Sequence, residues 1–156
     1  MNNNDVLRRL RFALSLSEQQ MSAIFALAGV TITPAEISPL MGREDDERTV
    51  ICLDDLLGAF LDGLIIDRRG PPRDGNAPRQ VQAELTNNDI IKKVRIALKL
   101  QEKDMLSILR EGGQPISKNE LSALFRKPGH KHYRVCGNQL LRAFLRGLTQ
   151  RRRGVR

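Results

Sequence analysis

The chain is written twice. Sliding it by 84 positions lays it on itself without a gap. Asn3, Asn4 and Asp5 fall on Asn87, Asn88 and Asp89, and Arg11, Ala13, Leu14 and Leu16 fall on Arg95, Ala97, Leu98 and Leu100. Ala59, Phe60, Leu61, Gly63 and Leu64 fall on Ala143, Phe144, Leu145, Gly147 and Leu148. Residues 3–70 and 87–154 share 26 identities in 68 positions, whereas unrelated sequences of ordinary composition share about 6%. An internal period of this kind sets the folding unit. A unit of 68 residues is marginally stable alone. Two units docked about a pseudo-two-fold axis share one core, as the halves of a symmetric dimer do. The expected organisation is a first repeat over 1–70, a linker over 71–86 and a second repeat over 87–156. Pro71, Pro72, Gly75, Asn76 and Pro78 mark the linker as turn-rich. Its end, 81–86, either begins the next helix or caps it.

Each repeat reads as four helices. The first covers 4–16 and 88–100, where Val6, Leu7, Leu10, Ala13 and Leu14 recur at three- and four-residue spacing. Thr86 and Asp89 have the spacing of a capping box, in which two side chains satisfy the free amides of a helix start. The second helix covers 18–28 and 102–111 and stops at Gly29 and at Gly112-Gly113. The third covers 34–41 and 118–126, and Thr33-Pro34-Ala35-Glu36 and Ser117-Lys118-Asn119-Glu120 supply its caps. The fourth covers 53–67 and 137–151, with Leu56, Leu57, Phe60, Leu61 and Leu64 on one side. Nothing alternates with a period of two for long enough to be a strand. The fold class expected is all-α: two homologous four-helix repeats about a pseudo-two-fold axis. Gly63 and Gly147 lie inside the fourth helix, where glycine costs about 1 kcal/mol against alanine. Close approach of a second helix is the expected reason that both copies hold it, with inheritance without a role the alternative.

The copies differ in charge. Residues 1–70 carry 7 Lys+Arg and 11 Asp+Glu, while residues 87–156 carry 17 and 5. The first repeat is acidic, the second strongly basic, and the chain as a whole carries +8. The contrast concentrates in the loop before the fourth helix. Glu44, Asp45, Asp46 and Glu47 occupy it in the first copy; Lys127, His130, Lys131, His132 and Arg134 occupy it in the second. On the fourth helix, Asp55, Gly58 and Asp62 become Gln139, Arg142 and Arg146. Arg142 and Arg146 are one turn apart and off the leucine stripe, so both are expected at the surface. Three explanations compete: a surface for phosphates that gains affinity by counterion release, pairing of the acidic loop with the basic loop, and plain solvated charge.

A helix-turn-helix would make the third helix the reader, with Lys118, Asn119, Ser122 and Arg126 outward. The first copy has Pro34, Ala35, Ser38 and Gly42 there, which read almost nothing, and the turn is long for the motif. An αα-hairpin is the favoured reading.

Catalytic and metal chemistry find little footing. His130, His132 and Cys136 form an H-x-H-x3-C pattern, but zinc takes three or four ligands and the first copy has Asp46, Arg48 and Cys52 there. No metal or cofactor is expected. Cys52 and Cys136 read as buried small hydrophobes, with redox sensing the lesser alternative. The acidic run 44–47 lacks EF-hand spacing, and no phosphate-loop, dinucleotide, zinc-protease or nucleophile-elbow motif is present. With no Trp, one Tyr and five Phe, the platforms on which single-stranded nucleic acid stacks are scarce. No apolar run reaches the length that spans a bilayer, and the start lacks the apolar core of a signal peptide. Two cysteines make no disulfide scaffold, so a cytoplasmic protein is expected.

Three segments carry a family resemblance. They are Asn87-Asn88-Asp89 opening a basic amphipathic helix, the run Leu121-Ser122-Ala123-Leu124-Phe125-Arg126-Lys127-Pro128-Gly129-His130-Lys131, and the Cys136 to Leu148 ending. Together they resemble the YehS-like family, bacterial cytosolic proteins with two copies of an uncharacterised domain. The resemblance implies the duplicated helical architecture and no catalytic residue. The first copy departs from the second at Thr49, where the second has Tyr133, and throughout its acidic loop.

The function expected is that of a non-enzymatic binding module, a nucleic-acid-binding regulator. Its contacts would be Lys118, Arg126, Lys127, Lys131, Arg134, Arg142 and Arg146, with DNA or RNA as partner. The alternative is a scaffold module that meets an acidic protein.

Overall fold

The computed structural model describes residues 1–71 and 84–152. Among the described residues each repeat forms four helices: α1 (Asn3–Leu14), α2 (Glu18–Leu27), α3 (Pro34–Leu40) and α4 (Asp54–Arg69), then α5 (Asn87–Ala97), α6 (Glu102–Glu111), α7 (Lys118–Leu124) and α8 (Asn138–Arg152). No strand occurs among the described residues. Of the 81–86 segment, 81–83 lie outside the described residues; Glu84 to Thr86 are non-helical, and Thr86 is the cap of α5.

Local chemistry fixes the helix starts. Asn2, Ser17, Thr86 and Ser117 each accept the backbone N–H of the third helical residue, whose own side chain returns to the cap. These reciprocal bonds satisfy amides that a helix start leaves open.

The first and third helices stop earlier than periodicity predicts. After α1, Ser15 turns into the left-handed region at φ 54, and Lys99 does so after α5. The Leu16 N–H then bonds back to the Arg11 carbonyl at 3.1 Å, and Leu100 bonds to Arg95 at 3.0 Å. Arg11 Nε and Arg95 Nε close each turn by donating to the Leu16 and Leu100 carbonyls. Glycine is the usual residue for such a turn, so a stop at serine or lysine leaves no mark in the sequence. The last carbonyls of α3 and α7 are captured by tertiary partners. Val50 N–H takes the Pro39 carbonyl and Asn4 takes that of Leu40; Arg134 N–H takes Ala123 and Asn88 takes Leu124. Arg126 therefore lies beyond the helix expected to carry it.

The repeats are interlocked. Within a repeat, α2 packs on α3 and α4, and α6 on α7 and α8. The first helix of each repeat lies chiefly on the fourth helix of the other: α1 on α8, and α5 on α4. Exchanging the repeats exchanges these two contacts, which is the pseudo-two-fold relation. Leu7, Leu10, Phe25, Phe60, Ile91, Met105, Phe144 and Leu148 belong to a single buried cluster drawn from both repeats. Neither repeat keeps a complete core without the other.

Gly63 and Gly147 sit where α4 crosses α2 and α8 crosses α6. A methyl group at Gly63 would overlap the Ile24 carbonyl, and one at Gly147 the Ile108 carbonyl. Close helix approach is the reason both copies lack a side chain there.

Candidate functional site

The loop between α3 and α4, and its counterpart between α7 and α8, hang from one buried asparagine each. Asn4 Nδ2 donates to the Leu40 and Val50 carbonyls, at 2.7 and 2.8 Å, and its Oδ1 accepts the Cys52 N–H. Asn88 does the same with Leu124, Arg134 and Cys136. Asn3 and Asn87 add bonds to the Cys52 and Cys136 carbonyls. The shared Asn-Asn-Asp signature is thus a clamp that fixes the loop carrying the charge contrast.

On the clamped basic loop, Lys127, His130, Lys131 and His132 are exposed. The side chains of Lys127 and Lys131 make no hydrogen bond or ion pair among the described residues. Other expected contacts have internal duties. Arg134 pairs with Glu120 at 2.6 Å, Lys118 with Glu102 at 3.9 Å, and Arg126 donates to the His132 carbonyl at 3.4 Å. The Glu120 carboxyl is held below its ordinary pKa by the Ser117 backbone N–H and then by Arg134. Arg126 and Lys127 also border a cleft with Lys92 and Tyr133, which holds the carboxylates of Glu84 and Asp89 as well.

Arg142 is half-buried, contrary to expectation, while Arg146 is exposed. Arg146 donates to the Gly112 carbonyl at the end of α6 at 2.7 Å. It also lines a second cleft, between α1 and α8, with Arg8, Arg9 and Arg43. These three arginines belong to the acidic repeat, and sequence reasoning missed them because net charge hid them. The alignment of the copies held the signal. Arg9 matches Lys93, and Arg146 matches Asp62.

Charge pairing between the repeats runs through helices. Lys93 on α5 pairs with the buried Asp62 on α4. The acidic loop closes on itself, Arg48 meeting Asp46 and Asn2 meeting Glu44. Among the described residues no ion pair links it to the basic loop.

The two thiols are buried, at 2% and 1% exposure. Burial first, and then the charges of Asp54 and Asp55, push Cys52 up to about 12. Burial pushes Cys136 up to about 11, against the opposing charge of Arg134. His130 Nδ1 accepts the His132 N–H at 3.0 Å, while Cys136 is held inside beneath Asn88. Among the described residues no group of three or more His, Cys, Asp or Glu is arranged to hold a metal ion. No helix there is long and apolar enough to cross a membrane.

An all-helical tandem repeat with a clamped, sign-reversed loop is the class of protein these features define. The family described as "Protein of unknown function (DUF1456)" matches residues 3–70 and again 87–154, and the chain belongs to that family. It is 40% identical over 152 residues to the "Uncharacterized protein YehS" of Escherichia coli (strain K12), covering 97% of this chain and 96% of that protein. No solved structure matches it.

Proposed function

We propose that the protein is a non-enzymatic cytoplasmic binding module whose second repeat contacts the phosphate backbone of nucleic acid. The carrying observation is the Asn88-clamped loop, which presents Lys127 and Lys131 to solvent with no acidic partner among the described residues. Fixed lysines of this kind bind phosphates and release counterions, without reading sequence. Arg142 and Arg126 extend the basic surface, and Arg134, Lys118 and Arg146 contribute charge while serving the fold. The two high-pKa buried thiols are poor nucleophiles, which supports a binding role over a thiol-based activity.

The test is fluorescence anisotropy with a labelled DNA duplex and a labelled RNA between about 50 and about 200 mM salt. The proposal expects affinity that falls steeply with salt and is lost in Lys127→Glu plus Lys131→Glu. Absence of binding at the lowest salt removes it. One observation favours the scaffold reading: Val135, next to Arg134, is 71% exposed, and its counterpart Ile51 is 75% exposed. An apolar residue beside cations suits an acidic protein partner. Capture of acidic proteins that is lost in Val135→Ser, together with no nucleic-acid binding, would select it.

A further inference from the structure

The α1–α8 cleft and the α4–α5 contact are the same place in the two halves of the molecule, yet they are finished differently. At α4–α5, Lys93 meets Asp62 and the charges cancel. At α1–α8 the matching residues are Arg9 and Arg146, and both are positive. Arg8 and Arg43 line the same cleft, which has a volume of about 540 Å³. Among the described residues no carboxylate lines it. Asp5, nearby on α1, is committed to Arg8 and to the Asn2 backbone. Burial alone would raise the Asp5 pKa, but those bonds and the charges of Arg8 and Arg9 hold it below its ordinary value.

The arginines are not equally occupied. Arg8 serves the wall, donating to Asp5 and to the Met41 carbonyl. Arg146 spends one Nη on Gly112 and keeps its other donors. Arg43 and Arg9 make no side-chain hydrogen bond or ion pair among the described residues, and Arg9 Nε is buried with no acceptor. A buried donor without an acceptor is unfavourable, as are like charges gathered in a partly desolvated cleft. The like-charge repulsion is relieved if an anion with several oxygens enters. Guanidinium forks match phosphate oxygens two at a time. Phe12, 57% exposed, adds a flat apolar wall beside them.

We infer that this cleft binds a small ligand bearing a di- or triphosphate, of the nucleoside polyphosphate class. Arg9, Arg43 and Arg146 take the phosphates, and Phe12 takes the ring. Three cations with no ion pair of their own among the described residues ask for more charge than one phosphate monoester brings. The volume lies in the range of small-molecule pockets, and a concave cleft between helices suits a compact ligand better than a polymer. Such a ligand joins α1 of one repeat to α8 of the other, so its binding also reports on how the repeats are held. Arg146 is common to this inference and the nucleic-acid reading, but that reading is tested at Lys127 and Lys131, so the two fail separately.

Isothermal titration of the full chain with ADP and, separately, with inorganic pyrophosphate tests it, with thermal unfolding in parallel. Both ligands are expected to bind and to raise the unfolding temperature. Arg9→Gln plus Arg146→Gln should weaken both by about tenfold or more, which is 1.4 kcal/mol. Phe12→Ala should weaken ADP several-fold and leave pyrophosphate unchanged. If the double variant folds poorly, Arg43→Glu on the exposed loop replaces it, with the same expectation. No heat and no thermal shift from either ligand overturns the site, as does wild-type affinity in the arginine variants. Pyrophosphate binding with an ADP affinity indifferent to Phe12→Ala overturns the nucleoside assignment.

Discussion

Lys93 donates a hydrogen bond to Asp62 across the boundary between the repeats, and both side chains are largely shielded from water, at 19% and 7% exposure. The pair makes the α4–α5 contact specific in register. Removing one partner strands the other charge. Asp62→Ala is expected to cost about 3 kcal/mol, the low end for a buried pair because Lys93 keeps some solvent. Asp62→Leu with Lys93→Met should restore most of that loss. Urea unfolding of the three variants checks it, and a double variant no more stable than Asp62→Ala would show that packing, not charge, is at stake.

Glycines inside helices separate two opposite outcomes. Gly147→Ala places a methyl group on the Ile108 carbonyl and must push α8 away from α6. It should destabilise by about 2 kcal/mol despite the better helix propensity. Gly58→Ala, inside α4 with nothing within 4 Å of the added carbon, should stabilise by up to about 1 kcal/mol. Thermal unfolding distinguishes the two directions.

The duplication, the eight helices and the two close-packed glycines were legible because each depends on local periodicity or on comparing one copy with the other. The early stops of α1 and α3 were not, because a left-handed serine and carbonyls taken by Asn4 are tertiary decisions. The swap of α1 and α5 onto the opposite repeat was hidden for the same reason: an apolar helical face does not name its partner. Lys127 and Lys131 stood out as a loop composition. Arg9 did not, since one arginine in an acidic repeat acquires meaning only when α8 brings Arg146 beside it.

The asparagine clamp is expected to be indispensable to the basic loop. Asn88→Ala leaves the Leu124 and Arg134 carbonyls and the Cys136 N–H without partners. The expected loss is about 3 kcal/mol or more, since three groups are abandoned and each costs about 1–3. Asn88→Asp should be at least as harmful near neutral pH, because it sets a carboxylate against two carbonyl oxygens. Amide exchange at Cys136 and the unfolding midpoint report the loss directly. A mild effect of Asn88→Asp would mean the loop is held by something else.

The thiols give a pH dependence with a definite sign. Cys52 and Cys136 are pushed up from 9.0 to about 12 and about 11, because burial penalises the thiolate. Well below pH 9 both are protonated in folded and unfolded chains, so they add no pH dependence. Between about pH 9 and about pH 11 the unfolded chain releases their protons while the folded chain keeps them. The unfolded state is favoured there by up to about 1.4 kcal/mol per pH unit for each thiol. Stability should therefore fall as pH rises through this window, and more gently in Cys52→Ala and Cys136→Ala once their lower starting stability is subtracted. The same burial predicts native thiols that resist iodoacetamide at pH 8 and react within minutes in urea. Rapid native labelling at pH 8 would contradict the buried placement, and with it the packing of both loops onto the core.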